Sequence, residues 1–134
     1  MSHCQYHGYG DSLNVEGWLK HCLTADAVIR FANNPPLEGA DAIREAFTAQ
    51  FAMLQSMKHT IVYFDIVGST IYQAAQIKYV VKGDSEHKVI DIPGFAVFHM
   101  DGDVFTQDSR MSLFEVYLDP SPLHQRFTEV RKLK

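Results

Sequence analysis

Apolar positions along this chain change their period once. Between Gly39 and Met57 they recur at three- and four-residue spacing, and Ile43, Ala46, Phe47, Phe51 and Leu54 form one stripe. That pattern predicts a helix with one buried face. Gly39 precedes it, and Asp41 sits in the first turn, where a carboxylate suits the helix dipole. After Met57 the period becomes two, which predicts strands over 58–67, 70–82, 87–100 and 104–118. Gly68-Ser69, Gly83-Asp84 and Asp101-Gly102 supply the turns between them. Upstream, residues 3–9 read as a short helix, and Asn14 as the N-cap of a second helix carrying Trp18, Leu19 and Cys22. Ala27–Phe31 reads as a short strand. It must stop at Asn33-Asn34-Pro35-Pro36, because two prolines cannot donate to a ladder. Helices grouped first and hairpins later predict an α+β fold with a mostly antiparallel sheet.

The strand over 87–100 departs from simple alternation. One face carries Asp91, Pro93, Phe95, Val97 and His99; the other carries Ile90, Ile92, Ala96, Phe98 and Met100. A sheet covered on one side alone would show one polar face. The helices cover one side, so a second copy of the same sheet is expected on the other, making a homodimer through the outer sheet face.

Composition narrows the function classes. A chain of 134 residues predicts one domain, 1–134, with 46% hydrophobic residues to fill a core. The net charge of −4 argues against nucleic-acid binding, which needs a basic surface. The four Lys/Arg within Arg126–Lys134 read as a solvated tail. No apolar run has the length of a membrane span and no secretory pattern opens the chain, so a cytoplasmic location is expected. Cys4 and Cys22 form no disulfide framework and read as reduced thiols. His3 and His7 have the i, i+4 spacing of a ligand pair, but no motif fixes a third ligand, so no metal is expected. No phosphate loop, nucleophile elbow or dinucleotide fingerprint is present, and no cofactor is expected.

Four segments in order, WLKHCLTADAVIRF, NNPPLEGADAIREAF, KHTIV and VYLDPSPL, make the chain resemble the SnoaL-like branch of the nuclear transport factor 2-like superfamily. The resemblance covers nearly the whole chain. It implies a cone: three N-terminal helices closing over a strongly curved, mostly antiparallel sheet, with a pocket between them. Asn33 and Asn34 would then lie near the mouth, with prolines stiffening its rim. The resemblance also implies tests of known chemistries. Where ketosteroid-isomerase-like relatives carry a tyrosine, a carboxylate base and an oxyanion-binding acid, this chain has His7, Phe31 and Phe95. Two of the three are apolar, so a steroid-type proton shuttle is absent. Where limonene-epoxide-hydrolase-like relatives place Asp-Arg-Asp, this chain has Ala75, Ile77 and Val116.

The same resemblance turns Phe95 into the pocket, leaving Ile92 and Phe98 for the outer face. Phe31, Phe51, Phe95 and Phe114 become apolar ligand-binding walls, with Asn34 at the mouth. By alternation Gln73, Ala75, Ile77, Tyr79 and Val81 share the pocket face. His59, Tyr79, Asp91 and Asp108 are the candidate catalytic, proton-handling groups. Asp108 and Arg110 sit at i and i+2, on one face of their strand. The expectation is a small-molecule-pocket protein for an apolar or aromatic ligand, as a cofactor-free acid–base isomerase, dehydratase or cyclase. A non-catalytic ligand carrier and a dimerising interaction module stand beside it as alternatives.

Overall fold

The computed structural model describes residues 3–102 and 109–132, with side chains from His7 onward. Helix α1 spans His3–Asp11 and α2 spans Val15–Cys22. Asn14 caps α2, its side-chain oxygen accepting the Gly17 N–H at 2.9 Å. Strand β1 (Leu23–Phe31) is longer than the pattern predicts, and the short β2 (Leu37–Glu38) follows the proline corner. Gly39 turns the chain into α3 (Ala40–Ala52) with φ of +85°, and its N–H donates to Ala27 O. That left-handed backbone suits glycine.

Strands β3 (Leu54–Val67), β4 (Thr70–Val81), β5 (Val89–Asp101) and β6 (Arg110–Tyr117) follow as antiparallel neighbours. The sheet order is β2-β1-β6-β5-β4-β3, and β1 pairs β6 in parallel. Register shifts interrupt β3 at Leu54/Ser56 and Ile61/Tyr63, and the β5–β6 pairing at His99/Met100. Such bulges bend a strand and increase its twist, which curls the sheet around the helices. Beyond the second bulge, Val62, Tyr63, Phe64, Ile66 and Val67 are all exposed.

The stripe on α3 is the hub of the core. Phe47 packs edge-on against Trp18 (centroids 5.1 Å), Phe51 (5.8 Å) and Phe31 (6.2 Å), while Phe98 meets Phe114 at 4.9 Å. Cys22 is fully buried as a free thiol, and burial pushes it up to about 12. No helix among the described residues is long and apolar enough to cross a membrane.

The face assignment of β5 is inverted relative to the sequence-based expectation. Ile90, Ile92, Ala96, Phe98 and Met100 are buried against the helices, whereas Asp91 and Phe95 are exposed. The buried set has no polar side chain to satisfy, while the other face includes Asp91, Pro93 and His99, so the apolar set goes inside.

The basic tail is also corrected. Ser121–Lys132 is a helix, α4, with Leu123, Phe127 and Val130 buried on one face. Asp119 starts it by accepting from Ser121 N and Ser121 Oγ. Arg126 is buried and grips Asp84 in the β4–β5 turn with two bonds, Nε–H to Oδ2 at 2.8 Å and Nη2–H to Oδ1 at 2.7 Å. The guanidinium also donates to Glu86 and Glu129. Asp84 accepts from the backbone N–H groups of Glu86 and Lys88 as well. A planar fork with four of its five N–H donors engaged suits a buried pairing that an ammonium could not match.

Two outcomes are expected. Phe47→Ala should lower unfolding stability by about 3–5 kcal/mol in denaturant titration, the usual cost of truncating a core aromatic; a loss below about 1 kcal/mol would place the stripe outside the core. The Arg126 hydrogen bonds hold the Asp84 carboxyl at about 2, below its ordinary range. A depressed carboxyl contributes stability that is complete above its unfolded value of about 3.9 and is lost as pH falls through the folded value. The NMR signals of α4 should therefore persist at pH 4 and lose dispersion as pH falls through about 2. Asp84→Asn should loosen α4 already at neutral pH, read as faster amide exchange confined to that helix and the β4–β5 turn.

Candidate functional site

Between the helices and the concave face of the sheet lies a cavity walled by Trp18, Phe31, Phe47, Phe51, Met57 and Phe114, among others. Its floor is made of small residues. Ala75 on β4 pairs with Gly94 on β5, and Gln73 pairs with Ala96. A Cβ on Gly94 would come within 3.2 Å of Ile77 Cδ1, so a side chain there would crowd the cavity floor. The space open to the centre of a water-sized sphere is about 60 Å³.

The polar groups of this cavity gather where α1 meets β3 and β4. Asp11, the last residue of α1, accepts the backbone N–H of His59 with both carboxylate oxygens at 3.1 Å. The same Oδ1 lies 2.7 Å from His59 Nδ1. An ionised carboxylate only accepts, so Nδ1 carries the proton and donates. Nε2 is then the ring nitrogen left for a ligand, and it has no hydrogen-bond partner among the described residues. One turn earlier on the same helix, His7 Nε2 shares a 3.0 Å hydrogen bond with buried Gln73 Oε1. The His7 and His59 rings lie 4.7 Å apart. Tyr79 is 3% exposed and lines the cavity. Burial, and secondly the Asp11 carboxylate, push its hydroxyl up to about 12, so at neutral pH it is a hydrogen-bond donor and not a base.

A second chamber sits outside the first, under α4. Asn34, Met53, Ile92, Pro120, Leu123, His124, Phe127, Thr128 and Arg131 line it, and its open space is about 370 Å³. Phe31, Gln50, Tyr79 and Leu118 border both chambers and form the partition between them.

The residues expected from sequence are thus distributed unevenly. His59, Tyr79, Phe31, Phe51 and Phe114 come together around the inner cavity. Asn34 lines the outer chamber, beside the mouth; Asn33 lines neither. Asp91 is exposed on the convex side and borders neither chamber, so it leaves the site. Phe95 borders the inner cavity, but it alternates with buried Ala96 and is 36% exposed, so its ring belongs to the outer face. Asp108 lies outside the described residues. Val81 is buried but borders neither chamber.

Asp11 was not anticipated. Its partner is 48 residues away, and no local spacing connects an acid at the end of one short helix to a histidine near the start of a strand. The outer chamber was hidden because α4 carries its apolar face on three residues between charged ones. Among the described residues no three His, Cys, Asp or Glu side chains converge as metal ligands.

Comparison with known proteins gives the setting for this geometry. A putative SnoaL-like polyketide cyclase from Jannaschia sp. CCS1 superposes with a TM-score of 0.73 at 12% identity, over 91% of this chain and 85% of that one. TerC, co-crystallised with polyporic acid, gives 0.73 at 12% identity over 93% and 94% of the two chains. The epoxide hydrolase/cyclase-like enzyme SalBIII, of pyran ring formation in the polyether salinomycin, gives 0.71 at 15% identity over 89% and 88%. At such identities the likeness is one of fold. No curated protein matches the chain. The sequence does match the SnoaL-like domain family over residues 11–107, beginning with the acid that orients His59, and the chain belongs to that family.

Proposed function

We propose that the protein is a cofactor-free acid–base enzyme that isomerises, dehydrates or cyclises an apolar, aromatic-type carbonyl compound in the cone. The observation that carries this reading is the 2.7 Å contact between Asp11 and His59 at the edge of an otherwise apolar cavity. Asp11 fixes the ring and its tautomer, which leaves Nε2 to accept a proton. Tyr79, held protonated, donates to the oxygen on which negative charge develops. A proton leaves a carbon or hydroxyl next to the substrate carbonyl, resides on His59, and returns at the product position. The apolar walls exclude water that would compete for it. The neighbours described as a polyketide cyclase and as an epoxide hydrolase/cyclase-like enzyme are consistent with such a substrate class.

A second reading has its own support. The inner space of about 60 Å³ is small beside ordinary ligand sites of roughly 300–1,000 Å³. A cone filled mainly by its own aromatic side chains would serve as an interaction module, while the apolar residues at positions where relatives carry catalytic groups would suit a ligand carrier. The convex face of the sheet fits a second copy of this chain in either reading. Tyr72, Phe95 and Tyr117 are exposed there, and Glu115 ties His99 and Tyr117 together with bonds of 2.7 and 2.6 Å.

A thermal-shift screen of aromatic ketones and phenols, followed by NMR of the His59 ring, separates the readings. In the enzyme, hits move the ring signals, and His59→Gln lowers turnover about 10²-fold or more with folding intact. Asp11→Asn should lower turnover as well, by misorienting the ring. Ligands that bind without turnover would leave the carrier, and a ring that answers no ligand would leave the interaction module. In sedimentation the wild type should run as a dimer at micromolar concentration and Phe95→Glu as a monomer; a monomeric wild type refutes the sheet-to-sheet pairing.

A further inference from the structure

The outer chamber has a charge pattern that the inner cavity lacks. Its lining contains no Asp or Glu, although the whole chain carries 16 acidic residues against 12 basic ones. The charge it does present is positive, from Arg131 in the last turn of α4; the His124 ring lies two turns earlier. Arg131 has no hydrogen-bond or ion-pair partner among the described residues, in contrast to Arg126 on the same helix, whose donors go to Asp84, Glu86 and Glu129. Asn34, Gln50 and Thr128 add neutral polar groups to the same wall. Beyond the partition of Phe31, Gln50, Tyr79 and Leu118, the inner cavity is lined by no Asp, Glu, Lys or Arg; its polar groups are His7, His59, Gln50, Gln73 and Tyr79.

A ligand spanning both chambers therefore meets an apolar wall without acidic or basic side chains in the inner cavity and a guanidinium in the outer chamber. We infer that the natural ligand is amphipathic, an aromatic or other apolar ring system bearing a carboxylate, with the ring in the inner cavity and the carboxylate in the outer chamber on Arg131. This inference rests on the reading of the cone as a ligand site, and it adds the polarity and the direction of the ligand. An anion placed in the inner cavity would lose its hydration among apolar walls with no Lys or Arg to pair with. At the mouth the same anion meets a guanidinium whose donors match a carboxylate in pairs. The partition residue Tyr79 lies between the two ends, so the part of the ligand that reaches His59 is the uncharged part.

The test uses 2-naphthylacetate and its neutral isostere 2-naphthylacetamide, with calorimetric and NMR titration of the full chain. The acetate should bind about tenfold more tightly than the amide, and the preference should shrink as ionic strength rises. Arg131→Gln should abolish the preference while leaving the affinity for the amide unchanged. Both ligands should perturb Phe51 and His59, and only the acetate should perturb Arg131. Equal binding of the two by the wild type, or a preference that survives in Arg131→Gln, overturns the inference and leaves the ligand site standing. Absence of any response at Phe51 and His59 to either compound removes the ligand-site reading itself, and this inference with it.

Discussion

Where β4 and β5 pair at Ala75 and Gly94, the concave face of the sheet carries almost no side-chain volume. The helices across from it cannot descend to fill the gap, because their own aromatic residues meet first. Trp18, Phe47 and Phe51 interlock edge to face at 5.1 and 5.8 Å, and Phe31 joins them from β1. The bulges in β3 and between β5 and β6 curl the sheet further, so its centre moves away from the helices as its edges close on them. A small-residue floor under a rigid aromatic roof is thus the constraint on which the site depends. Interiors are close-packed, and a persistent gap needs walls that cannot relax into it.

Charge in this protein is placed at the boundaries of that gap. Asp11 ties α1 to β3 through the backbone and the ring of His59 together, so one carboxylate is both a tertiary clasp and the group that sets a tautomer. Its field also helps keep the nearby Tyr79 hydroxyl protonated, although burial is the larger cause. Two titratable groups at one cavity are thereby pushed toward different roles: a histidine with its Nε2 lone pair available and a tyrosine confined to donating. At the mouth, Arg126 and Asp84 play a different part. Their bidentate pair is buried, and it fastens α4 without lining the outer chamber.

The sequence and its resemblance disclosed the cone, the β4 side of the site and the places of His59, Phe31, Phe51 and Phe114; they inverted β5 and missed Asp11 and α4. Alternation through Gln73, Ala75, Ile77 and Tyr79 identified the inner face of β4, since a strand buried on one side has only two choices. The same alternation in β5 was sufficient too: Ile90, Ile92, Ala96, Phe98 and Met100 present no polar atom needing water. Position-matching to relatives turned Phe95 inward against that evidence, and took Asp91 with it. Local apolarity outranks an ungapped correspondence when the strands of a curved sheet carry bulges, because each bulge reverses the faces beyond it. Asp11 was invisible for another reason. Its role arises from a contact between elements 48 residues apart, and a helix-terminal acid looks the same in sequence whether it meets a histidine or solvent. In α4, the alternation of basic and apolar residues suited a solvated tail as well as a one-faced helix, and only a buried partner for Arg126 decides between them.

The location of α4 relative to the family match has a consequence for specificity. Residues 11–107 contain Asp11, His59, Tyr79 and the cavity floor, so the end of the site that holds the Asp11–His59 contact belongs to the matched domain. The helix over Ser121–Lys132 lies beyond the matched residues, yet it supplies Leu123, His124, Phe127, Thr128 and Arg131 to the outer chamber. Its attachment is concentrated in one apolar face and one ion-paired arginine. Substitutions on its chamber side can change what the mouth accepts without disturbing the floor, the roof or the Asp11–His59 pair. In the proposed reading, reaction type and ligand choice are thus carried by separate pieces of the chain. That separation follows from geometry alone: the partition of Phe31, Gln50, Tyr79 and Leu118 stands between the side chains of α4 and the inner cavity.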